Sequence, residues 1–158
     1  MITESSPCIK RSKLKLRPHQ LKAVKYLLSD KIDGLLVIHP TGYGKTLTAV
    51  AASQCYLDSN PKHSIVFIGP SSLISNFDKE LDNYGVEDKK PYKLYSYQKF
   101  LQLDEERRNR LCSRGMMIVD EVHNLRNLNL RNPKQSKRSK SVMACSRLAT
   151  KRLLLSAT

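Results

Sequence analysis

Short, unbroken apolar runs alternate along this chain with longer stretches of mixed polarity. Leu35-Leu36-Val37-Ile38, Ile65-Val66-Phe67-Ile68, Met116-Met117-Ile118-Val119 and Leu153-Leu154-Leu155 are the clearest runs, and Lys93-Leu94-Tyr95 is a weaker one. Each is too short for a helix and is not diluted by alternating polar positions, which predicts strands buried on both faces. Between them the spacing changes. Leu21, Val24, Leu27 and Leu28 fall on one helical face after Pro18. A second helix is expected from Lys45 to about Leu57, broken by Asn60-Pro61, and a third from Ser71 to about Tyr84. Residues 98–111 read as mostly helical and charged. Apolar strands alternating with helices predict an α/β fold, a parallel sheet with helices on both faces. Two stretches fall outside this pattern. Residues 1–13, dominated by Ser, Pro, Lys and Arg, predict a disordered basic arm, leaving 14–158 as one lobe. Residues 126–141 are of low complexity and predict a mobile loop.

The first apolar run leads into His39-Pro40-Thr41-Gly42-Tyr43-Gly44-Lys45-Thr46. A strand, a tight loop and a helix in that order can cradle the phosphates of a nucleotide. Gly42 and Gly44 let backbone N–H groups turn inward, and the helix starting at Lys45 directs its positive end at the phosphates. Thr41, Gly42, Tyr43, Gly44, Lys45 and Thr46 are therefore candidate ATP-binding residues. Lys45 is placed to bridge the β- and γ-phosphates and the Thr46 hydroxyl to hold Mg²⁺. His39 stands where such loops usually begin with Gly. Tyr43 has two readings, stacking on a base or filling space. The run 116–119 ends in Asp120-Glu121-Val122-His123, two acids at the carboxyl end of a strand, where open α/β sheets bind ligands. Asp120 suits Mg²⁺, and Glu121 suits the activation of an attacking water.

Charge adds a partner. Among 158 residues, 28 Lys and Arg against 14 Asp and Glu give a net charge of +14, which favours a polyanion and first of all nucleic acid. Lys134, Lys137 and Arg138, in the basic stretch, read either as a solvated loop or as phosphate contacts. The four cysteines, Cys8, Cys55, Cys112 and Cys145, lack close paired spacing and read as reduced thiols, neither a disulfide frame nor a zinc site. An intracellular reducing compartment follows as the expected location. No apolar run approaches the length of a membrane span, so no membrane partner is expected.

The ordered motifs resemble the first lobe of a superfamily 2 helicase or translocase. Leu16-Arg17-Pro18-His19-Gln20 resembles the glutamine segment that recognises adenine, and the loop ending in Thr46 resembles the first motif. Gly69 to Phe77 is similar to the next motif, which in relatives contacts the tracking strand; Ser72 and Asn76 either serve there or cap and solvate a helix. Asp120 to His123 is similar to the "DEAH" box, with Val122 in place of Ala, and Ser156-Ala157-Thr158 matches the third motif. Ser72 to Leu81 looks Swi/Snf-like. Asp120 to Asn127 is similar to the "DECHNLRN" form of poxvirus-type nucleoside triphosphatase I and early transcription factor ATPases of large DNA viruses.

The resemblance implies a P-loop, RecA-like lobe that hydrolyses ATP with Mg²⁺ and moves on DNA, in viral transcription or DNA remodelling. Catalysis would fall to Glu121, Asp120 and Lys45, adenine recognition to Gln20, and coupling to His123, Ser156 and Thr158. A viral protein would work in the viral factory or virion, another in the nucleus. The family works with two lobes, and the second motif-bearing lobe is expected in cis or from a partner chain. Two other functions fit these residues: a DEAH-type RNA helicase lobe, against which the Swi/Snf-like stretch speaks, and a non-catalytic module that binds nucleotide or DNA.

Overall fold

The computed structural model describes residues 1–40, 44–125 and 133–157. Helix α1 (Pro7–Lys10) and helix α2 (Pro18–Leu27) precede strand β1 (Gly34–Ile38), helix α3 (Lys45–Ser59) and strand β2 (Ser64–Gly69). Helix α4 (Ser71–Tyr84), strand β3 (Tyr92–Ser96), and helices α5 (Tyr97–Gln102) and α6 (Glu105–Cys112) follow. Strand β4 (Gly115–Val119), a 3₁₀ turn (Val122–Leu125), helix α7 (Pro133–Leu148) and strand β5 (Lys151–Ser156) complete the order. The five strands form one parallel sheet in the order β1-β5-β4-β2-β3.

The runs 65–68, 116–119 and 153–155 become the central strands because both faces are covered, whereas the run 35–38, expected to be buried on both faces, forms the edge strand β1 and leaves Leu36 and Ile38 exposed. Ile65 and Phe67 of β2, with Met116 and Ile118 of β4, pack beneath α2, α3 and α4 against Val24, Val50, Phe77 and Leu81. Val66, Ile68, Met117 and Val119 point the other way, against Tyr97, Phe100, Val142 and Cys145 of α5 and α7. A strand sandwiched this way needs apolar side chains at every position, which is why alternation is missing from the sequence. The helix after β1 lies on one face and the helix after β4 on the other. That divergence opens a crevice at the carboxyl edge between these two strands, over β5. Among the described residues no helix is long and apolar enough to cross a membrane.

Three expectations are corrected. Residues 1–13 are ordered rather than a disordered arm: Cys8 and Ile9 are buried, the Tyr84 hydroxyl donates to the Cys8 carbonyl at 2.5 Å, and Arg11 binds Asp58 and Gln54 on α3. The cysteines are not reduced thiols. Cys8 is bonded to Cys55 and Cys112 to Cys145, 47 and 33 residues apart in the chain, so only the packing of α1 on α3 and α6 on α7 reveals the pairs. The stretch 98–111 is mostly helical, as expected, and is divided into two helices because the Asp104 carboxylate accepts the Arg107 N–H at 2.7 Å and starts α6 afresh. Residues 133–141, read as loop, belong to α7. Its buried face runs through Ser139, Val142 and Cys145, a helical spacing carried by small residues of weak hydrophobic contrast. Residues 126–132 of that predicted loop lie outside the described residues.

Candidate nucleotide site

Lys45 is the first residue of α3, directly after Gly44, whose φ of 74° is a left-handed conformation that a side chain resists. A Cβ on Gly44 would also lie 2.2 Å from the Gln20 side-chain nitrogen. The sequence thus needs Gly44 for two reasons, conformation and space. From there the Lys45 ammonium crosses the crevice to the end of β4. Its Nζ lies 2.9 Å from Asp120 Oδ1 and 2.6 Å from Glu121 Oε1. Burial works against the ammonium, but its hydrogen bonds to Glu121 and Asp120, with their charges, outweigh it and hold Lys45 above the ordinary lysine range.

Asp120 is buried and extends the β4–β2 ladder, its N–H donating to the Ile68 carbonyl at 2.9 Å. Its Oδ1 also accepts the Glu121 N–H at 2.8 Å. Glu121 turns sharply away from the strand, with φ of 55°. Its second carboxylate oxygen lies 3.2 Å from His123 Nδ1, and the same imidazole nitrogen is 3.2 Å from the Ser156 hydroxyl at the end of β5. The structure therefore joins Lys45, Asp120, Glu121, His123 and Ser156 into one polar chain across β1, β4 and β5.

Gln20 lies beside this chain, buried, at the foot of the loop. Its Oε1 accepts the Arg17 N–H at 2.7 Å and its Nε2 donates to the Gly44 carbonyl at 3.0 Å. Thr46 sits in the first turn of α3. His39 lies edge-on to His19, with ring centroids 4.9 Å apart; burial, then the charge of His19, lowers its pKa below the ordinary imidazole value. Thr41, Gly42, Tyr43 and Thr158 lie outside the described residues.

The donor set suits a magnesium nucleotide. Thr46 and Asp120 offer hard oxygen ligands, and Lys45 and the α3 N-terminus offer positive charge for phosphate. Among the described residues no cluster of three or more His, Cys, Asp and Glu stands ready to hold a metal alone.

The nucleic-acid candidates divide. Ser72 and Asn76 are exposed, one turn apart at the start of α4, and neither caps the helix, whose N-cap is Pro70. Lys137 is exposed on α7, and Lys134 lies in the first turn of that helix. Arg138 turns inward, its guanidinium 5.0 Å from the centre of the Tyr97 ring.

A family model described as "Type III restriction enzyme, res subunit" matches residues 13–158. The chain belongs to this family. It is a helicase-family ATPase lobe with a RecA-like fold and viral relatives. A protein of Acanthamoeba polyphaga mimivirus, named as an ATP-dependent RNA helicase, is 29% identical over 143 residues, covering 90% of this chain and 28% of that protein. A helicase of the killer plasmid pGKL-2 of Kluyveromyces lactis is 30% identical over 116 residues, covering 69% and 19%. The chain thus spans less than a third of either relative. The Sulfolobus solfataricus SWI2/SNF2 ATPase core in complex with dsDNA superposes with a TM-score of 0.74 at 23% identity, over 94% of this chain and 33% of the other. The UvsW helicase of bacteriophage T4 gives 0.65 at 19%, over 92% and 53%. These two likenesses establish the fold.

Tyr97 is buried in the core of this helicase-family lobe, and the sequence gives little sign of its polar role. Its hydroxyl donates to the Asp120 carbonyl at 2.7 Å. The signal was a phenol directly after a strand, two positions from another tyrosine and three from Phe100, which pattern alone reads as apolar. Nothing in the sequence marks Glu121 for a positive φ.

Proposed function

We propose that this lobe binds ATP with Mg²⁺ and hydrolyses it to ADP and phosphate, coupled to movement on duplex DNA. The observation that carries the reading is Lys45 held between Asp120 and Glu121 at the carboxyl edge of the sheet. An ammonium that close to two carboxylates is a charge reserved for exchange. On binding, Lys45 leaves them for the β- and γ-phosphates. Thr46 and Asp120 hold Mg²⁺, which supplies neutralisation of the charge that develops on phosphate oxygens. Glu121, freed of Lys45, accepts a proton from the attacking water. His123 then links Glu121 to Ser156, so a change at the carboxylate reaches the end of β5. Gln20 meets the adenine only if it lets go of Arg17 or Gly44, or uses its remaining donor and acceptor capacity.

Full turnover calls for a second lobe, in the same longer polypeptide or in a partner chain, to supply an arginine to the transferred phosphoryl group. The coverage of under a third of each relative leaves room for one. The net charge of +14 and the exposed Ser72, Asn76 and Lys137 support a sequence-independent, salt-dependent hold on DNA. The run Asp120 to Asn127 supports a place among transcription-linked ATPases of large DNA viruses. RNA is the second reading, favoured by the name of the mimivirus relative.

The test is ATP turnover by this chain alone, with duplex DNA and with duplex RNA, over a salt series. Slow turnover, raised more by DNA than by RNA and less as salt rises, is expected. Stimulation by RNA alone would transfer the reading to an RNA helicase. No ATP binding at all would overturn it.

A further inference from the structure

Among the described residues, Glu121 is the one non-glycine with a positive φ, at 55°. A side chain with a Cβ holds that conformation only when its surroundings impose it. Two contacts do so here. The Glu121 N–H is tied to Asp120 Oδ1, and the preceding carbonyl, that of Asp120, accepts the Tyr97 hydroxyl at 2.7 Å. The Glu121 carbonyl lies 3.5 Å from the same hydroxyl. One phenol therefore grips both ends of the peptide turn that aims the carboxylate. Tyr97 is 4% exposed and stands on α5, on the face of the sheet opposite α3.

The ring has a neighbour of its own. Arg138 lies over it at 5.0 Å, and Arg138 Nε is buried without a hydrogen-bond partner among the described residues. A buried guanidinium nitrogen left unpaired is costly, so the position is kept by the stacking on Tyr97 and by the packing of α7. Arg138 follows the exposed Lys137 on the helix that carries the basic stretch.

We propose that Tyr97 is a positioning residue that fixes the Asp120–Glu121 turn through its hydroxyl, and that Arg138 braces the ring, linking the basic helix α7 to the aim of Glu121. The inference rests on the reading of Glu121 as the water-activating group. A phosphate drawing Arg138 off the ring would loosen the grip, which makes the polyanion on α7 an input to the carboxylate.

The experiment uses the whole chain, labelled for NMR, with Tyr97→Phe, Arg138→Gln and, as control, Tyr95→Phe. The Tyr95 ring packs edge-on to Phe100 in the same cluster. The ¹³Cα and ¹³Cβ shifts of Glu121 report its backbone conformation without any turnover. Tyr97→Phe is expected to move them out of the left-handed range, Arg138→Gln to move them in the same direction by less, and Tyr95→Phe to leave them in place. Glu121 shifts unchanged in Tyr97→Phe overturn the proposal, and unchanged shifts in Arg138→Gln overturn the brace. In the ATPase assay Tyr97→Phe should lower kcat about tenfold or more, with KM for ATP within about twofold, as a misaimed group does. A raised KM with unchanged kcat contradicts positioning. Absence of turnover in the wild-type chain counts against the reading of Glu121, while the shifts still decide the grip of Tyr97.

Discussion

Replacing Lys45 by Ala removes the ammonium that Asp120 and Glu121 share. The Asp120 side chain is 3% exposed and that of Lys45 16%, so the two carboxylates would face each other with little water to separate them. Removing one partner of a fully buried pair costs about 3–5 kcal/mol, because the other charge stays buried and unpaired. Glu121 is 21% exposed at its side chain and also touches His123. Water and the imidazole relieve part of the repulsion, which lowers the expected loss to about 2–3 kcal/mol. For a domain of this size each kcal/mol moves the melting temperature by about 2–4 °C, so the variant should melt roughly 4–12 °C lower. Millimolar Mg²⁺ should recover more of the loss in the variant than it adds to the wild type, since the freed carboxylates become the better cation site. Lys89→Ala, which breaks an exposed ion pair with Asp78 and Asp82, is the control and should hardly move the transition. Calorimetric melts with and without Mg²⁺ measure all of this. A Lys45→Ala melt within about 2 °C of wild type would refute the claim that Lys45 neutralises the acid pair.

Glu121→Gln should retain ATP binding and lose at least about 100-fold in hydrolysis once a second lobe is supplied, because an amide cannot take the proton of water. Full kcat in a single-turnover assay would show that another group activates water. Gly115→Ala puts a Cβ 1.8 Å from the Ser64 carbonyl oxygen across the β2–β4 pairing, and backbone cannot yield as a side chain does. The expected cost is about 3 kcal/mol, read as a lower melting temperature; an unchanged melt would contradict the register. His39 has its folded-state pKa lowered by burial and then by His19, from the ordinary 6.5. The unfolded chain therefore binds the proton more readily, stability is full above about pH 6.5, and it falls as pH drops through the lowered folded-state value. The loss on acidification should be smaller in His39→Gln, and equal slopes of melting temperature against pH in the two proteins would refute it.

The parts of this fold that were legible in the sequence are those where one physical demand dominates. The central strands need apolar side chains on both faces, and the runs 65–68 and 116–119 show it directly. The gathering of Gly44, Lys45, Asp120 and Glu121 was legible because each follows a strand end, and parallel strands bring their carboxyl ends to one edge. The meeting of His123 with Ser156 follows from the same geometry, since β4 and β5 are neighbours. Helix α7 was hidden because its buried positions are serine and cysteine as well as valine, so its face has little contrast with its basic exterior. Helix α1 has four residues and no apolar period to detect, and what fixes it are contacts with α3 and α4, far along the chain. The cysteine pairs were hidden for the same reason. The grip of Tyr97 on the acidic turn joins residues 23 apart through one hydroxyl and leaves no pattern at all.

The central claim is that the crevice between α3 and the end of β4 is a magnesium-nucleotide site in which Lys45 changes partners from carboxylate to phosphate. Titration calorimetry of ATP into the chain, with Mg²⁺ and with EDTA, tests it most directly when wild type is compared with Lys45→Ala below the melting range of both. Saturable binding at one site per chain, weakened without Mg²⁺ and weakened again by the substitution, is the predicted result. Equal affinity for ATP in wild type and Lys45→Ala would contradict it.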